Sequence, residues 1–163
     1  MTNDENFDAY KPATIAALVE GAGVSKAQLP LSRMFVLAVL AGAFIGFGGA
    51  AYTAVMSGVD TTFGPARMLG GLVFSLGLIL VIVGGAELFT GNALMVMAAV
   101  DQKISVGQLL RSWAVVYLGN LVGAVGLAVA FGFSGLLEGP LNAMAVSIAD
   151  AKATLDPMAA FVR

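Results

Sequence analysis

The sequence predicts an all-α membrane protein: three transmembrane helices, the second broken by a polar loop, preceded by an N-terminal helix on the membrane surface. Three observations carry this. Hydrophobic residues fill 59% of the 163 positions and charged residues only 11%, against about 25% charged in an ordinary soluble domain. Three apolar stretches are each long enough for a bilayer core, which takes about 20 helical residues. The polar stretch "GGAELFTGN", Gly84–Asn92, cuts the apolar run around the second of them.

In chain order, residues 1–30 read as a cytoplasmic segment. Its first ten residues, "MTNDENFDAY", are acidic and amphipathic, unlike a cleaved signal peptide. Over Phe7–Gly23, Ile15, Leu18 and Val19 share a helical face, which predicts a helix lying on the membrane. Residues 31–137 read as a three-helix membrane unit. The first span is Leu31–Met56, entered through Pro30, and the second is Ala66–Ala86, entered through Pro65; proline suits a first helical turn. Ala93–Val100 is too short to cross alone at about 1.5 Å per residue. It reads as the second half of a broken helix over residues 66–100, with Glu87–Asn92 as the break. The third span is Ser112–Leu137, stopped by Glu138–Pro140. Residues 138–163 are expected to form an external loop and the start of a fourth helix, announced by Asp156-Pro157, an acidic N-cap before a proline.

Orientation follows from the cations. With the N-terminus inside, Lys11, Lys26, Arg33, Lys103 and Arg111 face the cytoplasm, and Arg67 and Lys152 face outward; that satisfies the positive-inside rule. Small residues recur along each span: Ala38, Gly42, Gly46, Ala50 and Ala54; Gly70, Gly77 and Gly84; Gly119, Gly123, Ala124, Ala128 and Gly132. Such stripes let helix backbones approach inside lipid.

The polar stretch has two readings. In the first, a helix broken at membrane depth frees backbone groups that survive only in protein or against a cavity. Gly84, Gly85 and Gly91 permit the turns. The half-helix starting near Thr90–Ala93 would then offer N–H groups to an anion, as in many transporters. In the second, Glu87 and Asn92 sit at the membrane surface in an ordinary loop, and Ala93–Val100 is a surface helix.

Enzyme function is not expected. The chain has no Cys and no His, which removes thiolate chemistry and the commonest general base and metal ligand. Paired carboxylates at helical spacing and a phosphate-binding glycine loop are also missing. No metal and no cofactor are expected. The net charge of −2, with cations not clustered among aromatics, excludes a nucleic-acid surface.

The segments "EGAGVSKAQLPL" (Glu20–Leu31), "LAGAFIGFGG" (Leu40–Gly49), "GGLVFSLGLILVIVGGAELFTGN" (Gly70–Asn92), "YLGNLVGA" (Tyr117–Ala124) and "ADAKATLDPMAAFVR" (Ala149–Arg163) resemble, in the same order, the formate/nitrite transporter family. The resemblance implies an aquaporin-like inverted-repeat channel fold of six membrane helices, of which this chain would hold half, assembled as a pentamer with one pore per protomer. It implies formate, nitrite or hydrosulfide as substrate, lipid around the chain, and a place in the bacterial cytoplasmic membrane. By matching positions, Leu78 and Phe89 would form apolar constrictions, with Phe74 a further candidate. Thr90 would face the central chamber, and Lys152 the outer vestibule. Glu87, Gly91 and Asn92 would support the pore loop, with Glu87 accepting from backbone N–H groups freed by the break. Protonating the anion would remove the cost of a bare charge in an apolar slit. In the family a histidine takes part.

The chain departs from that pattern. It has no histidine, and nothing in it matches the second repeat. The expectation is therefore an N-terminal half, from a truncated or split reading frame or a fragment. A second possibility is an antiparallel pair rebuilding the repeat, which the five-to-two charge bias opposes. A third is a non-transporting scaffold or assembly partner.

Overall fold

The computed structural model describes residues 10–162. Helix α1 is Pro12–Ala27, α2 is Leu31–Met56 and α3 is Gly64–Val83. Helix α4 is Phe89–Val100, tightened to a 3-10 turn at Ala93–Met95. Helix α5 is Val106–Phe133, α6 is Gly139–Ala153 and α7 is Pro157–Val162. Three of these, α2, α3 and α5, are long and apolar enough to cross a membrane. The chain is an all-helical, multi-pass membrane protein.

Several boundaries differ from the sequence reading, each for a local reason. The expected surface helix begins at Pro12, and Phe7 lies outside the described residues. It continues past Gly23 to Ala27 because Gly23 packs on Met95 and Ala98 of α4. Helix α3 stops at Val83, and the non-helical segment falls at Gly84–Leu88, not Glu87–Asn92. Gly85 takes φ +62°, the Ala86 N–H bonds Val81 O at 3.0 Å and the Gly85 N–H bonds Ile82 O at 3.2 Å. This pair of bonds around a left-handed residue is the Schellman ending of a helix. Ala86 and Val81 also touch within one buried cluster. Helix α5 starts at Val106, six residues before the expected Ser112, because Ser105 and Gln108 form a reciprocal capping box. The segment expected as an external loop holds α6 over most of its length. The Asp156 carboxylate accepts from the Met158 N–H at 2.9 Å, the cap expected before Pro157.

Helix α2 is the centre, with α3 on one side and α5 on the other. The small-residue stripes make this closeness possible. A methyl group at Gly42 would run into the Asn120 backbone, one at Gly123 into Val39, and one at Gly48 into the Phe74 carbonyl at 2.7 Å. The buried residues Met34, Ala38 and Val116 join α2 to α5, and Ala41, Val81 and Ala86 join α2 to the end of α3. Ala27, Met95, Ala98, Ile104 and Leu109 seat α1 against α4 and the start of α5. Large apolar side chains point outward elsewhere, as lipid-facing helices require; Leu72 and Val83 of α3 are 69% and 82% exposed.

Candidate functional site

The turn between α3 and α4 is held from three directions. Glu87 is buried at 5% exposure. Its N–H bonds Leu37 O of α2 at 3.2 Å, and both carboxylate oxygens accept from Lys26 Nζ of α1 at 2.8 Å. The expectation that Glu87 accepts from freed backbone N–H groups is corrected here: its partner is a cation 61 residues away in sequence. The freed groups go to Asn120 of α5. Its side-chain amide donates to Ala38 O at 2.8 Å and to Glu87 O at 2.9 Å, while its oxygen accepts from the Phe89 N–H at 2.9 Å. One side chain thereby ties α2, the turn and α4 to α5.

Asn92 is fully buried and anchors the next turn of α4. It donates to Ser112 Oγ at 3.1 Å, and its carbonyl accepts from Trp113 Nε1 at 2.9 Å. Ser112 in turn donates to Met95 Sδ at 3.3 Å. Phe89 packs on Trp113 and Tyr117, with ring centroids 6.2 and 5.7 Å away. Two more contacts fix the elements around the turn. Arg111 donates to Leu29 O at 2.6 Å, and Lys103 pairs with Glu20 of α1 at 2.6 Å. The hydrogen bond that Lys103 donates to Glu20 raises the pKa of Lys103 above its usual 10.5. The stability contributed by the Lys103 charge is present below that usual value and is lost as pH rises through the higher folded value.

Two cavities flank α3. The first, about 480 Å³, is lined by Lys26, Leu78, Glu87, Thr90 and Gly91, among others. The second, about 710 Å³, is lined by Tyr52, Arg67, Gly71, Phe74 and Lys152, among others. Arg67, Gly71, Phe74, Leu78 and Val81 recur at steps of four, three, four and three, so they share one helical face. The two cavities therefore lie along one side of α3, with Phe74 and Leu78 between them. Of the residues singled out in the sequence, Leu78, Thr90, Glu87 and Gly91 meet in the first cavity, and Phe74 and Lys152 in the second. Phe89 faces the α5 aromatics, and Asn92 is buried behind the turn.

The residues that sequence reasoning passed over are Lys26, Asn120 and Arg67. Asn120 had a signal, a lone amide inside an apolar span. Lys26 and Arg67 were read only as charges that set orientation.

The family model described as "Formate/nitrite transporter" matches residues 13–163. The chain belongs to the formate/nitrite transporter family. It is 45% identical over 126 residues to the formate channel FocA of Escherichia coli (strain K12), covering 77% of this chain and 44% of that protein. A solved structure named as an FNT family ion channel superposes with a TM-score of 0.80 at 27% identity, over 88% of this chain and 59% of that one. A pentameric formate channel with formate bound gives a TM-score of 0.68 at 37% identity, over 80% of this chain and 53% of that one. The chain spans about half the length of the curated relatives it matches. The family is one of transporters, in keeping with a non-enzymatic reading at that level.

Proposed function

We propose that this chain forms one wall of a transmembrane path for small monovalent anions, formate first and nitrite next. The path runs along the face of α3 that carries Gly71, Phe74 and Leu78, and past Thr90. The observation that carries the reading is the pair of cavities on that face. They hold the matched residues Phe74, Leu78, Thr90 and Lys152 in a chain of this family. The segment Gly84–Leu88 acts as the break in a membrane helix. Asn120 satisfies its backbone polar groups, as hydrocarbon demands. Leu78 and Phe74 are 48% and 42% exposed, so the wall faces outward and a further set of helices closes the path. Relatives of twice the length fit a second three-helix unit of inverted topology in that place, with a pentamer as the assembly.

Phe74 and Leu78 form an apolar neck between the cavities. A bare anion there carries a cost of several kcal/mol, and the protonated acid does not. Transport therefore increases as pH falls. The charge bias supports an N-terminus on the cytoplasmic side, and the family resemblance supports a bacterial cytoplasmic membrane. The alternative role, a scaffold without transport, is separated by flux.

The test is formate uptake into vesicles that hold the 163-residue chain, with and without Gly91→Leu and Thr90→Val. No atom lies within 4 Å of a Cβ at Gly91, and Gly91 lines the first cavity, so a leucine there is expected to obstruct it. Gly91→Leu abolishes uptake and Thr90→Val slows it. Uptake that Gly91→Leu leaves unchanged counts against the path. No uptake by the unaltered chain means that copies of it do not close the path among themselves; no uptake when the missing helices are supplied as well supports the scaffold.

A further inference from the structure

We propose that Arg67 and Lys152 together form a capture site for a small carboxylate-sized anion in the second cavity, with Arg67 the unrecognised half. The proposal rests on the anion-path reading and adds a residue to it. The two cavities differ in charge. In the first, Lys26 is neutralised by the bidentate Glu87 carboxylate. The second has two cations and no carboxylate in its lining. Among the described residues the ion pairs are Lys26–Glu87, Lys103–Glu20 and Lys103–Asp101, and neither Arg67 nor Lys152 takes part. Asp150 is two positions from Lys152 within α6, a spacing that turns side chains apart on a helix.

The two charges come from different elements, the first turns of α3 and the last turn of α6, so the pairing is tertiary. Arg67, Gly71 and Phe74 follow one another down one helical face, which leads from the guanidinium to the neck. The guanidinium presents a planar fork that fits two carboxylate oxygens, and the ammonium adds a point charge. Tyr52 lines the same cavity. Thr53 beside it already donates its proton to Gly49 O at 2.8 Å. Both cations are exposed, so the attraction acts mainly on encounter and is screened by salt.

Two readouts test the pair. In nonionic micelles holding the full chain with labelled arginine, formate is titrated while the Nε–H resonances are followed, with formamide as the uncharged control. A saturable shift at Arg67 that formamide does not produce, and that Lys152→Gln weakens, is the expected result. Three outcomes overturn the site: an Arg67 shift no larger than that of Arg33, which lies outside both cavities; a shift indifferent to Lys152→Gln; or a shift given only by an anionic lipid headgroup. The second readout is uptake. Arg67→Gln lowers it roughly threefold or more near 0.01 M ionic strength, where the Debye length is about 30 Å, and hardly at 1 M, where it is about 3 Å. A loss independent of salt, or no loss, overturns capture. If the unaltered chain conducts nothing, it does not close a path by itself, and the resonance titration decides the capture site alone.

Discussion

Asn120 links three elements with one amide: it bonds the Ala38 carbonyl of α2, the Glu87 carbonyl of the turn and the Phe89 N–H that opens α4. Orphaning a buried polar group costs about 1–3 kcal/mol, so Asn120→Ala unfolds well below the unaltered chain in a detergent titration. Asn120→Asp does no better, since a carboxylate keeps the bond from Phe89 N–H but cannot donate to Ala38 O or Glu87 O. A stability for Asn120→Asp equal to the unaltered chain would remove the two donated bonds from the account. The Lys26–Glu87 pair has a built-in asymmetry: the ammonium side chain is 28% exposed and the carboxylate 7%. Lys26→Met leaves a buried charge without a partner, at about 3–5 kcal/mol, whereas Glu87→Gln leaves a cation that still reaches water. Lys26→Met is therefore the more damaging of the two, and Lys26→Met with Glu87→Leu recovers part of the loss. Equal destabilisation by both single changes would contradict that burial. Glu87 was legible as a residue under constraint, since a carboxylate inside an apolar run needs a reason. Its partner was not. A contact across 61 positions leaves no period or spacing in one sequence, and Lys26 had been assigned to orientation.

At the scale of elements, apolar length located the three spans and local chemistry set their ends. The second span was read to Ala86 because Gly84, Gly85 and Ala86 carry no polar side chain to interrupt the apolar run. The helix ends at Val83 because Gly85 reverses hand. The ending of α4 repeats the motif with a less suitable residue. Gln102 takes φ +58°, with Lys103 N–H on Ala98 O at 2.9 Å and Gln102 N–H on Ala99 O at 3.1 Å. A left-handed conformation costs a side-chain-bearing residue about 1–2 kcal/mol, partly offset by the greater chain entropy of glycine. Gln102→Gly is expected to stabilise the chain by about 0.5–1 kcal/mol in the same titration, and destabilisation would show that the Gln102 side chain contributes more than its backbone strain costs. Helix α6 was missed for a different reason. It buries none of its residues, so it has no packed face to impose a readable period, and Glu138–Pro140 was read only as the stop of the third span.

For the whole molecule, the family and the helical membrane fold follow from segments spread over nearly the full length, and four of the five residues matched to a pathway, Phe74, Leu78, Thr90 and Lys152, line two cavities on one side of α3. What the sequence did not reveal is how those residues divide. The first cavity pairs its cation with Glu87, the second is lined by two cations and no carboxylate, and Phe89 is turned toward Trp113 and Tyr117 instead of lining either. The central claim is that this face of α3 borders water and anion, while the face that carries Leu72 borders lipid. The chain contains no cysteine, so single cysteines can be placed without background. Thr90→Cys, Gly71→Cys and Leu72→Cys, in vesicles, are exposed to a small water-soluble thiol reagent with and without formate. Gly71 has open space at its Cβ and Leu72, though 69% exposed, lies outside both cavities. The account predicts fast labelling at positions 71 and 90, slowed by formate, and little labelling at position 72. Labelling of Leu72→Cys as fast as Thr90→Cys, with no effect of formate at any position, would contradict it.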